Sequence, residues 1–216
     1  MVYVFYYKLV RRLSTTLFDI YFEQLPDAAK KKVKAFRNWQ DAERSLAGNM
    51  LLLHGLKSMG RNDLLSDIQF SEFQKPYINT GVNFNISHSG QYTICAISET
   101  IKVGIDVEEI KDIPLADFDD LFSAEEWNNV ISAGNKLRAF YTLWTKKEAF
   151  LKAIGSGLNV PLNKVNITVG NKIEWQKQDW FLKEIPLDPN HLAFICTDYA
   201  VFNIQVTGLD LNSPPF

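Results

Sequence analysis

The stretch FYTLWTKKEAFLKAIGSGL (residues 140–158) predicts a long helix in the second half of the chain, ended by Gly155. At about 100° per residue, one face of this helix collects the apolar residues Leu137, Tyr141, Trp144 and Leu151. Glu148 lies at the margin of that face, one turn before Lys152. Because burying an unpaired carboxylate is costly, Glu148 needs a partner. The helix alone leaves two interpretations open: a Glu148–Lys152 surface pair, or a carboxylate that belongs to a site.

Composition limits the classes of protein to which the chain can belong. With 216 residues, 46% of them apolar, it can form a substantial core in one large domain or two small ones. A net charge of −2 gives no reason to expect nucleic acid or an anionic membrane as a partner. The start, MVYVFYYKLVRR, reads as a strand rather than a signal peptide, and no apolar run is long enough to span a bilayer. We therefore expect a soluble, cytoplasmic protein.

The order of predicted elements repeats along the chain. In the first half, a helix with Asp41 as its predicted N-cap is followed by short apolar or β-branched runs that are typical of strands. In the second half, a capping box at Ser123 and Glu126 opens the helical part, and further strands follow up to the run FNIQVTGL. This order predicts an α+β fold whose two halves, residues 1–103 and 104–216, pack side by side around a cleft. The two cysteines, Cys95 and Cys196, lie in apolar runs and are predicted to be reduced core residues.

An acidic pair marks the stretch VGIDVEEI. Asp106 and Glu108 are two residues apart on a predicted strand, so their side chains share one face. Two carboxylates on one face repel each other unless a cation lies between them, and hard oxygen ligands of this kind suit Mg²⁺. The alternative is an edge strand with a solvated acidic face.

The stretch FNISHSG places Ser87, His88 and Ser89 at the end of an apolar strand, directly before Gly90. Hydroxyls and an imidazole at a strand end can hold a phosphate, although an ordinary turn has the same composition. A Ser–His hydrolase fits poorly, because the side chains of adjacent residues diverge on an extended chain and no GxSxG elbow is present. Zinc is also disfavoured, since three histidines and two isolated cysteines form no ligand motif.

Taken in order, the motifs FNISHS, GIDVE, FS..E and LW..KEAFLK..G.GL resemble the 4′-phosphopantetheinyl transferases of the broad-range, surfactin-synthetase-activating type. The resemblance runs from about AFRNWQDAERSLAG through AIGSGL. It implies a pseudo-dimer of two α+β halves, each a small, mostly antiparallel sheet packed on a long helix, with the active site in the cleft between them. Enzymes of this family move the phosphopantetheine arm of coenzyme A onto a serine of an acyl- or peptidyl-carrier protein. They need Mg²⁺, for which we expect Mn²⁺ to substitute, and they release adenosine 3′,5′-bisphosphate.

The resemblance also assigns catalytic roles to particular residues. The metal-binding acids of the family match Asp106, Glu108 and Glu148. Its phosphate-facing lysine matches Lys152, and we expect His88 to add a further donor around the phosphates. Something must take the proton of the carrier serine, and Glu148 is the candidate consistent with the family, either directly or through a metal-bound water.

The coenzyme-binding positions of the family match a second set of residues. Those nearest the phosphates are Ser87, His88 and Lys152. Those near the adenine are Lys75 and Pro76, in FQKPYI. Those around the 3′-phosphate are Lys32, Arg44 and Ser45. The length of the chain resembles that of the single-chain, two-half members, so we expect a monomer.

The sequence departs from the family pattern in three places. Gln74 stands where glycine often precedes the Lys-Pro pair, Glu109 follows DVE where a basic residue is common, and Ser156 replaces a frequent lysine. None of these changes removes a metal or phosphate ligand. Two other classes stay open: a non-catalytic module that binds coenzyme A or a carrier protein, and an unrelated Mg²⁺-dependent phosphoesterase. The full set of acids argues against the first, and the lack of paired His/Asp two-metal motifs against the second.

Overall fold

The structure is a computed structural model that describes residues 1–168, 171–201 and 203–213. The α-helices are α1 (Thr15–Glu23), α2 (Asp27–Ala35), α3 (Trp39–Ser58), α4 (Ala124–Ser132) and α5 (Lys136–Ile154). The strands are β1 (Val2–Lys8), β2 (Ile68–Phe70), β3 (Pro76–Ile78), β4 (Asn83–Ser89), β5 (Tyr92–Ser98), β6 (Val103–Glu109), β7 (Ile167–Thr168), β8 (Lys172–Trp175), β9 (Gln178–Glu184), β10 (His191–Thr197) and β11 (Ile204–Gly208). Across the described part of the chain, no helix combines the length and the apolar character that a membrane crossing requires.

The helix ends follow local capping chemistry. The predicted capping box of α4 is confirmed, because Ser123 and Glu126 exchange side-chain and backbone hydrogen bonds. The predicted end of α5 is confirmed as well, since Gly155 adopts a left-handed φ of 73°. The prediction for α3 is wrong: its N-cap is Asn38, and Asp41 lies in the first turn. There the Asp41 carboxylate accepts a 2.7 Å hydrogen bond from Arg44.

The first sheet has the strand order β11-β1-β5-β4 and packs on α3. Its neighbours are antiparallel except for β1 and β11, which run parallel with Val2 opposite Ile204. The sequence order placed this last strand, in the run FNIQVTGL, with the strands of the second half. The structure instead returns the chain to the first sheet. An alternating strand pattern shows which face is buried but not which edge the strand joins, so the prediction had no means of finding this partner.

The second sheet has the order β6-β10-β9-β8-β7, entirely antiparallel, and packs on α5. Each half therefore consists of a sheet on one long helix, so the predicted α+β architecture is confirmed. In the second half this packing requires Gly104. A Cβ on Gly104 would lie 2.2 Å from the carbonyl oxygen of Ala149 and 2.2 Å from the amide nitrogen of Ala153. Only glycine lets β6 approach the α5 backbone this closely.

Among the described residues, three apolar clusters hold the molecule together. One lies in the first half and one in the second, and the two cysteines, both buried and free as predicted, are divided between them. The third joins the halves, with Val4 and Ile94 of the first sheet packed in the same cluster as Ile105 and Ile195 of the second. This junction sets β4 beside β6, the strands that carry the two polar motifs. The division of the chain into residues 1–103 and 104–216 stays a prediction. The strand β11 departs from it, because it belongs to the second of these segments but pairs with β1 in the first sheet.

Candidate active site

The acidic motif meets the α5 helix at Asp106, which is only 2% exposed. Its Oδ1 atom accepts a hydrogen bond from Lys152 Nζ at 2.5 Å and another from Ser87 Oγ at 2.9 Å. Its Oδ2 atom is buried and has no hydrogen-bond partner among the described residues. Burial raises the pKa of Asp106, and the neighbouring Lys152 ammonium and Ser87 hydroxyl act in the opposite direction. One buried carboxylate thus connects both halves of the molecule.

The pairing of Lys152 bears on the two interpretations of Glu148. The Lys152 ammonium contacts Asp106 and also donates to Ser87 Oγ at 2.9 Å. Glu148 is half-buried, and its Oε1 atom has no hydrogen-bond partner in the described part of the chain. Burial, and then the negative charge of Asp106, raise the pKa of Glu148. This arrangement does not match a Glu148–Lys152 surface pair, because the lysine is bonded across the cleft.

Glu108 is held by different partners. Ser89 Oγ donates a hydrogen bond to Glu108 Oε2 at 2.8 Å. Burial and the charge of Asp106 raise the pKa of Glu108, while hydrogen bonds from the side chains of Ser89 and Trp144 partly offset this. In the sequence, Trp144 stands out only as part of an apolar face, because helical periodicity does not reveal the partner of an indole N–H.

The three acids are close enough to influence one another, since the charge of Asp106 raises the pKa of both Glu108 and Glu148. Within residues 1–168, 171–201 and 203–213, however, no three His, Cys, Asp or Glu side chains stand in an arrangement that could by itself hold a metal ion. The carboxylates share one region of the cleft but do not form a closed cage.

Basic residues of the first half lie close to Lys152 and the acids. Arg44 Nε donates to the carbonyl of Gly90 at 2.8 Å, which fixes the guanidinium beside the β4–β5 turn. His88 is exposed on this wall, where desolvation by the cleft and then the charges of Arg44 and Lys152 lower its pKa. Lys32 contributes more weakly to the same lowering and is exposed on α2. These groups, together with Asp41, which accepts a hydrogen bond from Arg44, form a mainly basic wall on the first half.

The remaining predicted residues lie at the edges of this region. Ser45 follows Arg44 on α3 with a half-buried side chain. Pro76 opens β3, and Lys75 reaches from the β2–β3 hairpin to the other half, where its Nζ donates to the carbonyl of Ala153 at 2.7 Å. Burial lowers the pKa of Lys75 to about 8. Gln74 has a left-handed φ of 61°, which glycine adopts more readily.

Sequence reasoning missed a buried lysine beside Glu148. Lys147 is fully buried, and its Nζ donates to Glu126 Oε2 at 2.6 Å and to the carbonyl of Leu162 at 2.9 Å. These bonds tie α5 to the capping box of α4. A buried lysine has no signature in apolar periodicity, because the pattern assigns charged residues to the solvent.

Comparisons with known proteins agree with this arrangement. A family model described as 4′-phosphopantetheinyl transferase superfamily matches residues 102–202, and one described as 4′-phosphopantetheinyl transferase, N-terminal, matches residues 13–100. The chain is 30% identical over 190 residues to 4′-phosphopantetheinyl transferase Sfp of Bacillus subtilis (strain 168), an alignment that covers 82% of this chain and 84% of that protein.

Relatives from other sources carry related names. The 4′-phosphopantetheinyl transferase gsp of Aneurinibacillus migulanus is 30% identical over 169 residues, covering 76% of this chain and 70% of that protein. The L-aminoadipate-semialdehyde dehydrogenase-phosphopantetheinyl transferase of Xenopus laevis is 28% identical over 203 residues, covering 75% of this chain and 64% of that protein. With both halves matched by family models and a relative 30% identical over most of the chain, the chain belongs to the 4′-phosphopantetheinyl transferase family of enzymes.

Proposed function

We propose that this enzyme transfers the 4′-phosphopantetheine group of coenzyme A to a serine of an acyl- or peptidyl-carrier protein and releases adenosine 3′,5′-bisphosphate. Family membership supports the reaction class. The observation that carries the proposal is the meeting of Asp106, Lys152 and Ser87 across the junction of the halves, with Glu108 and Glu148 beside them. A pyrophosphate bound there would have cations on one side and carboxylates on the other.

The acids suit a divalent cation. Asp106 Oδ2 and Glu148 Oε1 are oxygen atoms without partners in the described residues. Burial raises the pKa values of all three acids, and the charge of Asp106 raises those of Glu108 and Glu148 further. A bound cation would coordinate the unpartnered oxygen atoms and would reduce the repulsion of Glu108 and Glu148 by Asp106. Mg²⁺ usually takes one or two carboxylates and completes its coordination with phosphate and water, so it does not require a closed protein cage. Asp106, Glu108 and Glu148 would hold it, and it would supply charge neutralisation for the pyrophosphate, with Mn²⁺ as a substitute.

In this proposal, the two halves of the chain have different roles. Residues 1–103 bind coenzyme A, and residues 104–216 carry the acids. The groups that would contact the coenzyme are Lys32, Arg44, Ser45, Lys75, Pro76, Ser87, His88 and Lys152. The cationic members of this set lie on or beside the basic wall, except Lys75, which contacts the carbonyl of Ala153 at the end of α5. This arrangement suits a long ligand with phosphates at separate points.

The chemistry needs a proton acceptor and a stabilised leaving group. The carrier serine oxygen forms a bond to the β-phosphorus of coenzyme A, and the bond from that phosphorus to the bridging pyrophosphate oxygen breaks. Glu148, whose Oε1 atom has no hydrogen-bond partner among the described residues, accepts the serine proton, either directly or through a water molecule. Lys152 and His88 stabilise the charge that moves onto the phosphate oxygens.

The partners of the enzyme follow from the same proposal. The carrier serine must enter the cleft between the halves, and both halves belong to one chain. We therefore propose a monomer that works in the cytoplasm on carrier proteins of fatty-acid, polyketide or nonribosomal-peptide assembly.

Mass spectrometry of carriers incubated with the enzyme, coenzyme A and Mg²⁺ tests the reaction. A modified carrier should gain about 340 Da, the mass of the phosphopantetheine arm attached to a serine. A panel of acyl and peptidyl carriers would show which class is preferred. A carrier that forms a complex with the chain but gains no mass would instead indicate a non-catalytic binding module.

A further inference from the structure

The junction between β4 and β6 is made by side chains rather than by a strand ladder. Three side chains at alternate positions of β4 each accept a hydrogen bond from a backbone N–H of β6. The pairs are Asn85 with Ile105 at 2.9 Å, Ser87 with Val107 at 3.4 Å and Ser89 with Glu109 at 3.1 Å. We call these contacts the β4–β6 junction. They satisfy N–H groups that would otherwise be unpaired on the edge strand of the second sheet.

The two serines of the junction have a second use that Asn85 lacks. A hydroxyl that accepts one hydrogen bond still carries its own hydrogen, which it can donate. Ser87 donates to Asp106 at 2.9 Å, and Ser89 donates to Glu108 at 2.8 Å. Each serine thus donates a hydrogen bond to the carboxylate of one β6 residue and accepts a hydrogen bond from the backbone N–H of the next β6 residue. This register aligns both acids with the strand of the other half.

We propose that Ser89 is a positioning residue for Glu108, an inference that rests on the proposed role of Glu108 in holding the cation. Ser89 engages Oε2 of Glu108 and, through the backbone N–H of Glu109, fixes the strand on which that carboxylate stands. Partners of this kind, one step removed from a metal, orient the ligating carboxylate and strengthen metal binding. The same bonds make the placement of Glu108 depend on correct docking of the two halves.

The test compares Ser89→Ala with Asn85→Ala. Both changes leave a β6 N–H without its acceptor, so both should lower the melting temperature by about 2–10 °C. Only Ser89→Ala also removes a donor to an acid. Binding of Mn²⁺ in the presence of coenzyme A, followed by electron paramagnetic resonance, is the readout. The Mn²⁺ dissociation constant should rise by about 10–100-fold in Ser89→Ala and stay near the wild-type value in Asn85→Ala.

Two further variants keep the test decisive if Ser89→Ala folds poorly. Ser89→Thr retains the hydroxyl and should restore Mn²⁺ binding, whereas Ser89→Cys retains the size with a weaker donor and should bind less tightly than wild type. Equal Mn²⁺ binding by wild type, Ser89→Ala and Ser89→Cys would overturn the inference while leaving the transferase proposal intact. A wild-type chain that binds no Mn²⁺ would overturn the cation site itself.

Discussion

Glu148 is the acid of the cleft whose surroundings are most suited to taking a proton. One of its oxygen atoms is buried without a hydrogen-bond partner among the described residues, and the charge of Asp106 adds to the effect of burial in raising its pKa. A carboxylate with a raised pKa is a stronger base than its exposed counterpart, while the nearby Lys152 ammonium acts on the Glu148 pKa in the opposite direction.

The substitution Glu148→Gln tests this role. It keeps the shape of the side chain but removes the basic oxygen, so carrier modification should fall by about 10²–10⁴-fold. Because the change also removes a repulsive, partly buried charge, the melting temperature should be unchanged or higher. Both quantities can be measured on one preparation, by mass spectrometry and thermal denaturation.

Glu125→Gln is the matched control, because Glu125 is exposed in the first turn of α4. It should leave the rate of carrier modification at the wild-type level. Near-normal turnover in folded Glu148→Gln would show that the base is another group.

Lys75 predicts a pH dependence of stability. Its pKa is lowered from an ordinary 10.5 to about 8 by burial, so between these values the folded state has released a proton that the unfolded state still holds. The free-energy cost of burying the charged Lys75 ammonium is therefore fully present below pH 8. This cost decreases as the pH rises from about 8 towards 10.5. Relative to Lys75→Met, which cannot titrate, wild type should gain stability between about pH 8 and pH 10. A difference in melting temperature that does not vary over this range would contradict the assignment.

At the scale of elements, the contact between β6 and α5 brings the acids together. Asp106 comes from the strand, Glu148 and Lys152 come from the helix, and Gly104 sets the distance between the two elements. Any side chain at Gly104 must displace the helix backbone, since the atoms that it would meet are not flexible.

Gly104→Ala should therefore destabilise the protein by about 1–3 kcal/mol or more, the usual cost of overpacking, and should also lower carrier modification. Gly134→Ala is a suitable control, because an added Cβ there meets no atom within 4 Å. It should change the free energy of unfolding by less than about 0.5 kcal/mol. Urea denaturation of both variants measures the effect, and equal stabilities would show that α5 can shift without cost.

The elements that the sequence predicted correctly are those with a local signal. The α5 helix has periodic apolar residues and a closing glycine, and α4 has a capping box. By contrast, α1 and α2 are absent from the prediction, because each has nine residues and so spans too few turns to show a clear apolar period. The partner of β11 could not be inferred either, since strand pairing is a nonlocal choice.

The contacts within the candidate site could not be predicted either, because they join residues that are far apart in sequence. The motifs identified Asp106 and Lys152 separately, but their direct contact joins residues 46 positions apart and depends on how two elements pack. The buried Lys147 and the donors to Glu108 were missed for the same reason.

For the whole molecule, the distribution of charge matters more than the net value of −2. The basic wall predicts that coenzyme A binds more weakly as salt is added, because exposed charges are screened over about 10 Å at 0.1 M salt. Calorimetry between roughly 0.05 M and 0.5 M salt should show a dissociation constant that rises by roughly 3–10-fold. An affinity independent of salt would contradict the proposed contacts from Lys32, Arg44 and Lys75.

A pair of variants on α2 sharpens that measurement. Lys32→Gln should weaken coenzyme A binding and reduce its salt dependence, because the Lys32 charge acts on His88 in the cleft. Lys34→Gln, two residues further along, should have little effect, since the Lys34 ammonium lies over the Phe22 ring at 5.1 Å from its centre.

The central claim is that transfer takes place in the cleft between the halves and needs a divalent cation held by Asp106, Glu108 and Glu148. The mass of a carrier protein incubated with wild-type enzyme and coenzyme A, in metal-free buffer and then with added Mg²⁺, tests it most directly. We predict no modification in the presence of EDTA, a gain of about 340 Da once Mg²⁺ is in excess, and the same gain with Mn²⁺. Full modification in metal-free buffer would contradict the cation site, and a carrier left unmodified with metal and coenzyme A present would contradict the transferase.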